Sequence, residues 1–111
     1  MSERMLKVNS LIAQQLGQII SSDIDLPSGT IVTITEVQTS PDLRHAKVFL
    51  SVLPEEKQRE TMSILINNVK LLQQTLNEKI TLRVIPKLRF FIDETEQEAM
   101  ELERLLDEIK E

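Results

Sequence analysis

The chain contains no cysteine, no tryptophan and no tyrosine. Without cysteine it can form neither disulfides nor thiolate metal sites, a composition compatible with a reducing cytoplasm. Its three aromatic residues are Phe49, Phe90 and Phe91, so the core must be built from aliphatic side chains. His45 is the sole histidine, and one His without Cys cannot make a zinc site of usual composition. Glycine is scarce as well: with Gly17 and Gly29 alone, no glycine-rich phosphate loop is present. No apolar run approaches bilayer-spanning length, and the opening MSERMLKVNS lacks the apolar stretch of a signal peptide. A cytoplasmic protein with no membrane role is therefore expected.

What is present describes a small globular protein. The chain has 111 residues, 41% hydrophobic and 28% charged, which favours a single domain over residues 1–111. The net charge of −5 is unevenly spread. Residues 93–111 hold nine acidic and two basic groups, a net −7, and the other 92 residues hold eleven basic and nine acidic, a net +2. The body is mildly basic and the tail strongly acidic, a polarity that the bulk charge hides.

Periodicity places the elements. Met5, Val8, Ile12, Leu16 and Ile19 recur at steps of three and four, predicting a helix over about 4–21. A loop with Pro27 and Gly29 follows. Ile31, Thr33, Thr35 and Val37, then Ala46, Val48, Leu50 and Val52, alternate as the inward faces of two hairpin strands. Ser40-Pro41-Asp42 supplies the turn between them. Pro54, Glu55 and Glu56 suit a helix start, and Met62, Leu65, Ile66, Val69, Leu72, Leu76 and Ile80 carry an apolar stripe to about residue 80. Asn67 and Asn68 are poor helix formers in its middle, so a kinked and a continuous helix are equal expectations. A third strand is predicted over 87–92, beginning after Pro86. If it shares a sheet with the second strand across that helix, the two run parallel and the sheet is mixed. Thr95 and Glu98 fit a capping box, opening an acidic amphipathic helix over 94–111 with Ala99, Leu102, Leu105, Leu106 and Ile109 as its stripe.

The result is an α+β chain of order α-β-β-α-β plus a C-terminal helix, with a three-stranded mixed sheet. That is the order of a K-homology-like domain of the second type. The glycine-rich loop with which such domains grip nucleic-acid backbone is missing here.

Catalysis finds no support in the residues. Asp42 and His45 could suggest an acid–base pair, but no nucleophile accompanies them, and the tail carboxylates follow the polar face of a helix. The basic residues are more informative. Arg44 and Lys47 lie on the second strand, Lys79, Arg83, Lys87 and Arg89 cluster around the third, Arg4 and Lys7 open the first helix, and Lys70 sits mid-helix. They describe either a solvated face with salt bridges or a dispersed phosphate-contacting surface, because cations that neutralise RNA phosphates release counterions. Phe49 and Phe90 are expected in the core. Base stacking is then not on offer, and RNA contacts would follow backbone and shape.

The stretch Ser40-Pro41-Asp42-Leu43-Arg44-His45-Ala46-Lys47-Val48-Phe49 resembles the signature of the ribosome-binding factor A family. The likeness extends upstream through Val8-Asn9-Ser10-Leu11-Ile12 to Ile19-Ile20. Downstream it takes in Ile85-Pro86-Lys87-Leu88-Arg89-Phe90 with Asp93, and the tail pattern Leu102, Leu105, Leu106, Ile109. It covers roughly Met5 to Ile109. It implies the same K-homology-like fold and a monomeric, non-catalytic bacterial assembly factor without cofactor or metal. Such a factor binds the immature small (30S) ribosomal subunit and its 16S ribosomal RNA and assists RNA processing. Arg44, Lys47, Lys79, Arg83, Lys87 and Arg89 are the expected RNA contacts, joined by Arg4, Lys7, His45 and Lys70. The acidic tail helix could contact a basic ribosomal protein or suppress indiscriminate RNA binding. The alternative is a protein-interaction module without RNA. In the family an Ala-x-Gly pattern marks a helix kink. It would fall on Asn68-Val69-Lys70, where this sequence has neither Ala nor Gly.

Overall fold

A computed structural model of the chain describes residues 3–94. Helix α1 (Glu3–Asp23) is followed by strands β1 (Ile31–Thr39) and β2 (His45–Leu53). A short 3-10 turn (Glu55–Lys57) then leads into α2 (Gln58–Asn67), α3 (Val69–Lys79) and strand β3 (Lys87–Ile92). The helix expected over 94–111, with its cap at Thr95, lies outside the described residues from position 95 onward.

The helices cover one face of a three-stranded sheet of order β1-β2-β3. β1 and β2 form the antiparallel hairpin, and β3 runs parallel to β2 at the opposite edge. The sheet is mixed, as the strand–helix–strand passage predicts. On α1 the buried residues Val8, Ile12, Leu16, Ile19 and Ile20 repeat at helical spacing. They meet Ala46, Val48 and Leu50 of β2, Leu72 and Leu76 of α3, and Leu88 of β3 in one aliphatic core.

The hairpin departs from the expected alternation in β1. Ala46, Val48, Leu50 and Val52 are buried as predicted, but Ile31 is 63% exposed and Thr33 and Thr35 also face outward. Val32 and Ile34 take the inward positions. The reason is a β-bulge: Ile34 pairs with Leu50 and Glu36 with Phe49, leaving Thr35 as the extra residue. One inserted residue shifts a period-two pattern by one position. Val37 and Thr39 therefore return to the buried side.

The long helix is broken. Asn68 separates α2 from α3 with φ −104° and ψ 11°. Its backbone N–H donates to the carbonyls of Ile64 (3.1 Å) and Leu65 (3.2 Å), and its side-chain amide donates to Ile64 O at 2.8 Å. Asparagine readily makes such local bonds, so the bend forms without the small residues of the family pattern. Lys70, where the pattern has glycine, is exposed.

Two side-chain amides tie the layers together. Asn9, buried on α1, accepts from the backbone N–H (3.1 Å) and hydroxyl (2.7 Å) of Thr39. Gln73 on α3 serves the free rim of β3: its Oε1 accepts from Leu88 N–H at 3.0 Å and its Nε2 donates to Pro86 O at 3.1 Å. It replaces the strand that β3 lacks on that side. Replacing Gln73 by Leu leaves the Leu88 N–H unpaired and should lower stability by about 1–3 kcal/mol. Urea unfolding of the purified Gln73→Leu variant measures the loss, with Gln73→Glu retaining part of the stability through its remaining acceptor.

Candidate nucleic-acid interface

The hairpin turn organises one end of the site. Ser40 N–H donates to His45 O (2.8 Å) and Leu43 N–H to Ser40 O (2.8 Å), closing a tight loop. Inside it the Asp42 carboxylate accepts from the Ser40 hydroxyl (2.5 Å) and the Arg44 N–H (3.1 Å). The His45 N–H donates to Ser40 Oγ at 3.1 Å. Leu43 adopts φ 60°, the left-handed region that costs a non-glycine residue about 1 kcal/mol. The Ser40 hydroxyl, the Arg44 N–H and the nearby charges of Arg44 and His45 together hold the Asp42 carboxyl below its ordinary value of 3.8, against a smaller desolvation effect.

β2 and β3 then lay the cations side by side. The parallel register pairs His45 with Lys87 and Lys47 with Arg89. All four are exposed and lie on the face turned away from the helices, because they are out of phase with the buried Ala46, Val48 and Leu88. Neighbouring strands lie about 4.8 Å apart, so residues 42 positions apart in the chain become near neighbours. Arg44 joins this group through its backbone, whose carbonyl accepts from Lys87 N–H at 2.8 Å. Arg4 and Arg83 meet elsewhere: with Asp42, Leu43 and Leu82 they line a cavity of about 110 Å³ under the turn.

The remaining expected contacts stand apart. Lys7 pairs with Glu3 at 3.6 Å, an exposed helical pair worth little. Lys70 and Lys79 are exposed on α3, in the helical layer behind the sheet. Nine residues apart, at about 100° per residue, they point to opposite flanks of that helix. Among the described residues, Arg44, Lys47, Lys79, Arg83, Lys87 and Arg89 form no salt bridge.

The aromatic residues do not all follow the expectation. Phe90 packs against the core, as expected. Phe49 does not enter it. It lies on the outer face beside Phe91, with ring centroids 5.7 Å apart and planes inclined by 29°. The Arg89 guanidinium sits 5.8 Å from the Phe91 centroid, within cation–π range. The signal was available in the sequence: Phe49 lies between Val48 and Leu50, so the alternation that buries those two must turn Phe49 outward. Beside this face, Ile66 and Val69 at the helix break and Leu88 to Phe91 on the β3 rim line a groove of about 310 Å³. Among the described residues, no three His, Cys, Asp or Glu side chains are grouped to hold a metal ion. No described helix is long and apolar enough to cross a membrane.

Comparison with known proteins gives this surface a context. The family described as ribosome-binding factor A matches residues 4–106. A ribosome-binding factor A from Chlorobaculum tepidum is 39% identical over 113 residues, covering 99% of this chain and 93% of that protein. The crystal structure of ribosome-binding factor A from Thermus thermophilus superposes with a TM-score of 0.68 at 18% identity, covering 79% of this chain and 93% of that one. A homology model of Thermus thermophilus ribosome-binding factor A, fitted into a cryo-electron-microscopy map of a complex with the 30S subunit, gives 0.63 at 21% identity, covering 77% and 90%. At these identities the two structures establish the fold, which is K-homology-like.

The Asp42 turn carries a pH signature. A carboxyl whose folded-state pKa lies below its unfolded value stabilises the fold above the unfolded value and loses that contribution as pH falls through the folded one. Comparing wild type with Asp42→Asn by urea unfolding should therefore give a stability gap that is constant from about pH 7 to about pH 5. The gap should shrink once the pH drops below the ordinary aspartate value of 3.8.

Proposed function

Because the chain belongs to the ribosome-binding factor A family, we propose that it is a non-catalytic assembly factor, a single cytoplasmic domain that binds the immature small (30S) ribosomal subunit through its 16S ribosomal RNA and assists maturation. The observation that carries the RNA contact is the pair of adjacent cross-strand rows, His45 with Lys87 and Lys47 with Arg89, which set three cations and an imidazole side by side and open to solvent on the sheet. A flat array of this kind neutralises several phosphates at once, and the counterions released make the binding strong at low salt. Arg44 extends the array at the turn. Arg4 and Arg83 add a second contact below it, and Lys7, Lys70 and Lys79 are peripheral.

The fixed geometry gives the factor its selectivity. A rigid surface favours the RNA arrangement whose phosphates match its spacing, and a ligand shifts an equilibrium by its differential affinity for the two states. An RNA that folds out of that arrangement on maturation loses the match, and the factor leaves. The acidic residues 93–111 repel stray nucleic acid and so restrict binding to the matched site.

Sedimentation of the full chain with purified small subunits tests this reading. The wild type should co-sediment at low salt and dissociate as salt rises, and precursor 16S RNA incubated with the chain alone should remain uncut. Lys47→Ala combined with Arg89→Ala should reduce the slope of log K against log salt by roughly 1–2, as expected for two lost phosphate contacts. A double variant that co-sediments like wild type at every salt concentration would remove these residues from the interface.

A further inference from the structure

The outer face of the sheet carries more than charge. Across it, three successive cross-strand rows read His45–Lys87, Lys47–Arg89 and Phe49–Phe91. The aromatic row is contiguous with the cationic ones, and Arg89 leans over Phe91 to join them. On the β1 side the neighbours of Lys47 and Phe49 are Gln38 and Glu36, and beyond Phe91 the Asp93 carboxylate accepts from the Thr35 hydroxyl, so the carboxylates flank the aromatic row and the His45–Lys87 and Lys47–Arg89 rows carry none. The positive charge is thus concentrated along the β2–β3 seam, next to a pair of half-buried rings.

We infer that this seam holds a single-stranded RNA segment, with an unpaired base stacked on the Phe49–Phe91 pair and the flanking phosphates on Lys47, Lys87 and Arg89. The inference rests on the RNA-binding reading above and specifies which form of RNA the face accepts. Two arguments support it. Phosphates complement the cation rows, and an aromatic face beside them accepts a base of any identity. A duplex cannot use the rings, because its bases are already stacked and its A-form grooves present ribose hydroxyls and phosphates instead. Sugar and phosphate can therefore satisfy the lysines alone, whereas a splayed strand satisfies both features together. Glu36 further disfavours a backbone path over β1 and keeps the strand on the seam.

Fluorescence anisotropy with the full chain tests the inference, using a labelled oligouridine of about eight nucleotides, a length one small binding surface can cover, and an RNA hairpin duplex as the second probe. Wild type should bind the single strand more tightly than the duplex. Phe91→Leu and Phe49→Leu should each weaken oligouridine binding by about tenfold, the usual effect of losing one stacked base, with little change for the duplex. Phe91→Trp should restore the affinity, which separates stacking from a merely structural role, and urea midpoints confirm that each variant folds. Tighter binding to the duplex, or an unchanged oligouridine affinity in both Leu variants, would overturn the inference. So would a chain that binds no oligouridine yet loses the small subunit on Phe91→Leu, since the face would then serve a protein. Loss of wild-type co-sedimentation would strike the parent reading, whereas the oligonucleotide comparison decides this one by itself.

Discussion

The parallel register of β3 against β2 is the constraint on which the rest depends. Side chains on a strand alternate with a period of two, so a slip of one residue would exchange Lys87, Arg89 and Phe91 for Leu88 and Phe90 on the open face. The same slip would drive charge into the aliphatic core. The register is pinned at both ends by backbone bonds outside the regular ladder. Lys87 N–H reaches Arg44 O at 2.8 Å, and Asp93 N–H reaches Leu50 O at 2.7 Å. Asp93 also accepts from the Thr35 hydroxyl at 2.6 Å, so the end of β3 is fastened to the bulge in β1. The burial of Leu88 beside Ala46 supplies the apolar share of the same preference.

Much of this was legible in the sequence, and the exceptions share a cause. β3 is readable because Pro86 marks its start, and β2 because four aliphatic residues alternate without interruption. The parallel pairing follows from the crossover rule. The bulge at Thr35 is not readable, since no residue type there demands it and its benefit lies in contacts with Phe49 and Asp93 on other strands. The break at Asn68 was visible as a weakness, and what decides it is a local amide bond that propensity alone does not resolve. Asn9 and Gln73 read as ordinary polar helix residues, because their partners lie 30 and 15 positions away.

The candidate site shows the same division. Residue types at the cation positions could be read off the chain, but not which of them become neighbours. The register unites His45, Lys47, Lys87 and Arg89, the turn gathers Arg4 and Arg83, and the helical layer takes Lys70 and Lys79 to the back. Phe49 is the instructive error. It was expected in the core together with Phe90, whereas the alternation that buries Val48 and Leu50 places this ring outside, against Phe91.

Gln73 has a consequence for the life of the molecule in a crowded solution. A strand at the margin of a sheet is a template on which another chain can add itself, the first step toward fibrils and swapped dimers. By occupying the hydrogen-bonding groups of Leu88 and Pro86, the glutamine removes that template on one margin, and the bulge at Thr35 interrupts it on the other. The broad flat face can thus stay open to a partner while both margins discourage self-assembly.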